Sequence, residues 1–215
     1  LPNPEAAKEA SVDADGLRLT DRKHAAIIHA AALEFRARGF DGTSMDQIAA
    51  RACVSKRTVY NHFPSKEDLF REIVAQLAAR SEPTEGFSFE AAHSLEEQLT
   101  AIGGTIIDTI SDDDFINLAR VVLSRFLQTP DLAERTIGRG QKPFRAGLMK
   151  WIREAVRAGD LDVADPDVAA RQFVALLNSS AFWPQVLAGR PPLSAPERDS
   201  VLQSTVSMFL DHYAT

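Results

Sequence analysis

Apolar positions recur at three- and four-residue spacing along most of this chain, the repeat of helices with one buried face. Ile27, Ile28, Ala31 and Phe35 form the first series, with Thr20 or Asp21 as its N-cap and Gly39 as its C-terminal stop. Ser44 opens a second helix and has Gln47 three residues on, the spacing of a capping box. Ser55 opens a third. Pro64-Ser65 ends it and starts a fourth, with Asp68 three residues after the new cap. Residues 81–89, SEPTEGFSF, break the repeat and predict a boundary. Beyond it, turn signals at 111–114, 129–131, 138–143, 159–166 and 189–196 separate further apolar-periodic stretches. No run of alternating β-branched residues predicts a strand, and the Ala-rich runs are helix formers. The expected fold is all-α. It consists of a flexible tail (1–20), a three-helix domain (21–66), a connecting helix (67–81) and a larger helical domain (82–215).

The second and third predicted helices are short, and only Ala52-Cys53-Val54 lies between them. That is a helix-turn-helix in about 20 residues. A helix fits the major groove, where base edges carry distinct donor and acceptor patterns. The entering helix needs short polar and basic residues outward, near its N-terminus. SKRTVYNHF supplies Ser55, Lys56, Arg57, Thr58, Asn61 and His62, while Val59 and Phe63, four apart, pack inward. Cys53, in the tight turn, is expected to be a small, buried and inert thiol.

Charge refines this picture. The chain carries 24 Lys+Arg against 30 Asp+Glu, a net charge of −6, which argues against nucleic acid. Residues 17–80, however, carry 11 basic against 7 acidic side chains, a net of +4, so the acidity belongs to the remainder. A mildly basic end on an acidic body fits a protein with one DNA-facing end. The single cysteine forms no disulfide within the chain. The stretch 1–20 lacks the basic and apolar regions of a signal peptide, so a cytoplasmic location is expected. No apolar run is long enough to predict a membrane span.

No catalytic motif is present: there is no G-x-S-x-G and no P-loop. Gly138-Arg139-Gly140 lacks the third glycine of a dinucleotide loop and follows no predicted strand. His24 and His29, five apart, do not share a helix face as a metal pair would. Asp112-Asp113-Asp114 is read as a solvated helix start. Neither an enzyme, a cofactor nor a metal site is expected.

The segment GFDGTSMDQIAARACVSKRTVYNHFPSKEDLF closely resembles the TetR family of bacterial regulators, over about residues 21–75. The resemblance implies that the domain at 21–66 binds double-stranded DNA. Thr43 and Ser44 would contact phosphate at the start of the second helix, and Tyr60 and Lys66 the phosphates flanking the groove. Lys56, Arg57, Thr58, Asn61 and His62 would meet base edges or nearby phosphates. More faintly, NLARVVLSRFLQTPDLAERTIGRGQKPFRAGLMKWI and the segments AGDLDVADPDVAARQFVALL and VSMFLDHY look like the C-terminal domain of the AcrR/AefR-like branch. In that branch this domain carries the dimer interface and, in many members, a ligand cavity.

The last two long helices are the candidate homodimer surface, with Val168, Phe173, Leu176 and Leu177 on one and Val201, Thr205, Met208 and Phe209 on the other. Two reading heads roughly 34–36 Å apart would read a palindrome one helical turn long. A ligand pocket is expected among bulky apolar residues. Phe126, Phe182 and Trp183 are preferred, Ile102, Ile106, Leu123 and Trp151 are also candidates, and His93 and Asn178 could add polarity. The resulting expectation is a repressor released from a palindromic operator by an unidentified small apolar or amphipathic effector. The competing readings are a DNA-binding regulator without an effector, or acting as an activator, and an α-protein that binds or converts a small molecule and keeps a vestigial helix-turn-helix.

Overall fold

The structure, a computed structural model, describes residues 19–81, 87–137 and 145–215. The expected tail up to Arg18, most of the SEPTEGFSF boundary and the turn signal at 138–143 lie outside the described residues.

α1 spans Leu19–Arg38. Thr20 and Asp21 lie inside this helix, so neither is the cap that was expected; Asp21 instead places its negative charge in the first turn, where the helix dipole favours it. Ile27, Ile28, Ala31 and Phe35 are buried along one face. Gly39 ends the helix at φ +73°, its N–H donating to the Phe35 carbonyl at 2.9 Å. α2 spans Met45–Arg51 and opens on a full capping box. Ser44 Oγ accepts from the Gln47 N–H (3.3 Å), and the Ser44 N–H donates back to Gln47 Oε1 (2.7 Å). α3 spans Lys56–His62, with Ser55 Oγ accepting from the Thr58 N–H at 3.0 Å. α4 spans Lys66–Arg80. Ser65 Oγ accepts from the Asp68 N–H at 3.1 Å, as the sequence predicts.

The chain divides into two compact units, with the division between Ile73 and Val74, inside α4. The second unit continues with α5 (Leu95–Ile110), α6 (Asp113–Gln128), α7 (Pro130–Ile137), α8 (Arg145–Ala158), α9 (Pro166–Ala181), α10 (Trp183–Ala188) and α11 (Ala195–Tyr213). The caps are local and legible. Ser94 and Glu97 form a second capping box, Asp112 Oδ1 accepts from the Phe115 N–H (2.9 Å), and Asp165 Oδ1 accepts from the Val168 N–H (3.2 Å). The turn signals predict one uninterrupted stretch between Pro166 and Gly189, but the helix breaks at Phe182. Pro184 has no N–H to continue the ladder, and it falls in the first turn of α10.

The core of this unit is built from α5, α8, α9 and α11, around Leu99, Ile106, Leu148, Trp151, Ile152, Phe173, Leu177, Leu202 and Phe209. Gly103 lets α5 approach closely, because a Cβ there would stand 2.8 Å from Leu202 Cδ2 and 3.4 Å from the Phe173 ring. The C-terminus is tied back by the Asp162 N–H donating to the Tyr213 carbonyl at 2.8 Å. Asp112 and Asp114 at the start of α6 face Arg80, at 3.1 and 3.4 Å; that acidic run serves as a helix cap and ion-pair partner.

Candidate nucleic-acid interface

The turn between α2 and α3 is held by backbone hydrogen bonds, with the Val54 N–H donating to Ala49 O (3.1 Å) and the Cys53 N–H to Ala50 O (3.2 Å). Cys53 takes a left-handed conformation, φ +53°. Its side chain is exposed, which corrects the expectation of a buried thiol: a left-handed turn residue points its Cβ away from the two helices it joins.

α3 is seated by Val59 and Phe63, both buried, as the spacing predicts. The opposite face presents Lys56, Arg57, Tyr60 and Asn61 to solvent, with Thr58 half-buried beside them. Arg57 has no hydrogen bond or ion pair among the described residues. Tyr60 is 44% exposed, a large exposure for an aromatic ring on a seven-residue helix. Ser55 and Thr58 share a hydroxyl–hydroxyl bond of 2.8 Å, so the first turn of α3 is preorganised. Lys56 pairs with Asp46 on α2 at 2.8 Å. Hydrogen bonding to that carboxylate, and its charge, raise the lysine above its ordinary value.

Other predicted contacts are placed differently. Thr43 is only 3% exposed, and its Oγ1 donates to the Gly39 carbonyl at 2.8 Å. Its side chain therefore closes the C-terminus of α1 and is not available to a phosphate, a correction to the expectation. Ser44 is exposed, but its hydroxyl belongs to the capping box. Lys66 is half-buried: its ammonium donates to the Phe40 carbonyl at 2.9 Å and lies 4.8 Å from the centre of the Phe40 ring. His62 packs near His24, ring centroids 5.8 Å apart, and His24 in turn lies 4.8 Å from Phe63.

Sequence reasoning missed two acidic residues. Glu34 is buried on α1 and accepts from Arg38 on its own helix and from Arg51 on α2. The bonds from Arg51, and then from Arg38, hold its carboxyl below the usual range despite burial. Asp46 fixes Lys56. Only the Glu34–Arg38 pair, four residues apart on α1, carries a sequence signal; Arg51 and Lys56, the partners of Glu34 and Asp46 across helices, do not.

In the second unit the expected sites separate. Phe182 is half-buried against Phe115 (6.2 Å) and Trp183 (4.9 Å), Trp183 is 42% exposed, and Phe126 is half-buried near the end of α6. Ile102, Ile106 and Trp151 are core. Asn178 Oδ1 is buried without a hydrogen-bond partner among the described residues. Of the expected dimer residues, Phe173, Leu177 and Thr205 are buried within the chain, which corrects their assignment to an outer surface, whereas Phe209 is buried against Phe173 and also lines the outward groove between α9 and α11. A helix has an inward and an outward side, and Phe173 and Leu177 lie against Gly103 of α5. Val168 and Val201 are half-buried. Leu176 and the exposed Met208 point outward, and with Gln172, Ala175, Ser179, Phe209, His212 and Tyr213 they line a groove of about 560 Å³ between α9 and α11.

A polar, cation-bearing α3 on a capped helix-turn-helix, joined to an all-helical second unit, is the build of a DNA-binding transcriptional regulator. Residues 27–73 match the profile described as bacterial regulatory proteins, tetR family, and residues 97–215 match the C-terminal domain of AefR-like transcriptional repressors. A solved TetR family regulator from Pseudomonas syringae pv. tomato str. DC3000 is 42% identical. Its match covers 91% of this chain and 99% of that one, with a TM-score of 0.78. The flavonoid-responsive regulator FrrA is 28% identical over 90% of this chain and 98% of its own, with a TM-score of 0.68. Among curated proteins, the HTH-type transcriptional regulator SrpR of Pseudomonas putida is 26% identical over 137 residues, 64% of this chain and 62% of SrpR. The match thus spans less than two thirds of that relative. The chain belongs to the TetR family, with a C-terminal domain of the AefR-like type. Its relatives here are transcriptional regulators, not enzymes. No helix among the described residues is long and apolar enough to cross a membrane.

Proposed function

We propose that the protein is a cytoplasmic homodimeric repressor that holds a palindromic double-stranded DNA operator and releases it when a small apolar or amphipathic effector binds the second unit. The observation that carries the DNA half of this reading is the outer face of α3, with an unpaired Arg57, an exposed Tyr60 and the Ser55–Thr58 pair on a helix whose other face is fully seated. In this reading Lys66, anchored on Phe40, is the positioning cation beside α3. The dimer half rests on the outward apolar groove at Leu176 and Met208, whose occupant is the same groove of a second copy.

One reading head makes too few contacts for useful specificity, so the symmetry of the site is the test. DNA fragments selected from a random pool should contain inverted repeats with half-sites about one helical turn apart. Affinity should fall steeply with salt as phosphate counterions are released. Selected sites without symmetry, or binding indifferent to salt, would overturn the reading. The effector is tested separately. A ligand must bind the DNA-incompetent state more tightly to release the operator. Flavonoids belong in the first panel, given the response that FrrA is named for. Unchanged operator affinity across a broad panel of apolar and amphipathic molecules would leave a regulator without an effector.

A further inference from the structure

Asp46 lies in the first turn of α2, and its carboxylate faces Lys56, the first residue of α3. The Lys56 ammonium stands 2.8 Å from Oδ1 and 3.0 Å from Oδ2. The helix dipole favours an acid in that turn, but it does not require the acid to meet a lysine on the next helix. Folding stability does not require it either. The two side chains are 60% and 62% exposed, and an ion pair so open to water stabilises little. The inward side of α3 is filled by Val59 and Phe63, so the pair lies among the outward residues, next to Arg57.

Phosphate contacts position a reading helix, and contacts to base edges give it sequence preference. At the start of α2 the side chains of Thr43 and Ser44 are already engaged, one with the Gly39 carbonyl and the other in the capping box. The carboxylate of Asp46, in the same turn, repels phosphate. With Lys56 it forms a unit of zero net charge, which gains nothing from neutralising DNA. An ammonium has three N–H donors, and the two carboxylate oxygens occupy no more than two of them. At least one donor is left, held in place at the N-terminal turn of α3, where a reading helix meets base edges. A held donor on a neutral unit complements an uncharged acceptor. In the major groove guanine offers two such acceptors side by side, N7 and O6. A lysine without the carboxylate would turn to the nearest phosphate instead.

We propose that Asp46 is a specificity-determining residue: it holds the Lys56 ammonium so that the lysine reads a guanine edge rather than binding a phosphate. The proposal rests on the assignment of the outer face of α3 to DNA and deepens it. Asp46 acts through Lys56 and is itself a positioning residue.

The full chain is titrated, at several salt concentrations, with a duplex selected from a random pool, with its single-base variants and with a scrambled duplex of the same length. Asp46→Asn should bind the scrambled duplex about fivefold more tightly, because Lys56 becomes free for a phosphate. Its plot of log affinity against log salt should steepen by about 0.9, the increment for one more neutralised phosphate. Its preference for guanine at one position of each half-site should fall about tenfold. Asp46→Glu should restore both the slope and the preference. The double variant Asp46→Asn, Lys56→Ala should return to the parent's slope and still lack the guanine preference. Circular dichroism and melting temperature should be unchanged throughout. A salt slope or a base preference that stays at the parent's value in Asp46→Asn overturns the proposal. So does an equal loss of affinity for every duplex, the result of a merely structural role, or a guanine preference that survives in the double variant. A parent that binds no duplex, or binds without salt dependence, removes the DNA reading of α3 and the proposal with it.

Discussion

Glu34 and Cys53 show how far single residues depend on partners that local sequence does not name. The Glu34 carboxylate holds α1 to α2 through Arg51 while also accepting from Arg38. Because these bonds depress its pKa, its contribution to stability is complete above the carboxylate's unfolded value and is lost as pH falls through the lower folded value. Unfolding followed from pH 7 to pH 3 should therefore show Glu34→Gln destabilised at neutral pH and converging on the parent as the pH drops. Parallel profiles would show that the pair carries no linkage. Cys53 holds φ +53°, a conformation that costs a residue with a Cβ about 1–2 kcal/mol and a β-branched one more. Cysteine already bears that cost, so Cys53→Val should lower stability to denaturant only by the further penalty of its branch, whereas Cys53→Gly should not lower it. The exposed thiol contributes no packing that the glycine would lose.

At the scale of the element, α3 divides into residues that position it and residues that face solvent, the face assigned to DNA in the proposed function. Val59 and Phe63 set its depth, Ser55 and Thr58 fix its first turn, and the Lys56–Asp46 pair ties it to α2. Among the described residues Arg57 has no hydrogen bond or ion pair. Tyr60→Ala and Lys66→Ala should each weaken DNA binding about equally for every sequence, roughly fivefold for the loss of a phosphate contact worth about 1 kcal/mol. Arg57→Ala should instead change which sequences are preferred, by about 1–3 kcal/mol at one base position. Competition binding against a library of single-base operator variants separates the two patterns. Equal loss at all sites for all three variants would remove the distinction. The capping of α2, α3 and α4 was legible from the chain because a cap and its N3 partner are three residues apart. The break at Phe182 was not read from the turn signals, although Pro184 carried the local reason for it.

For the whole molecule, the proposed homodimer is the decisive assembly. Met208 is exposed on α11 beside Leu176. If a second copy covers this groove, Met208→Glu places an unpaired charge in it from each protomer. The dissociation constant should then rise by at least about a hundredfold, read by sedimentation equilibrium, and operator affinity should fall with it. An unchanged dimer would move the interface elsewhere. Taken by itself, the amino-acid sequence determined the helical class, most helix starts, the helix-turn-helix and its family, because these depend on spacing and on capping within one turn. Only the tertiary structure decided that Thr43 faces inward, that Lys66 rests on Phe40, and that Phe173 is core while Met208 is surface. A helical repeat marks which residues want to be covered. Which of them are covered depends on segments 26 to 90 residues away in the chain, as in the Lys66–Phe40 and Arg198–Asp108 contacts, and on how closely glycines such as Gly103 let those segments come.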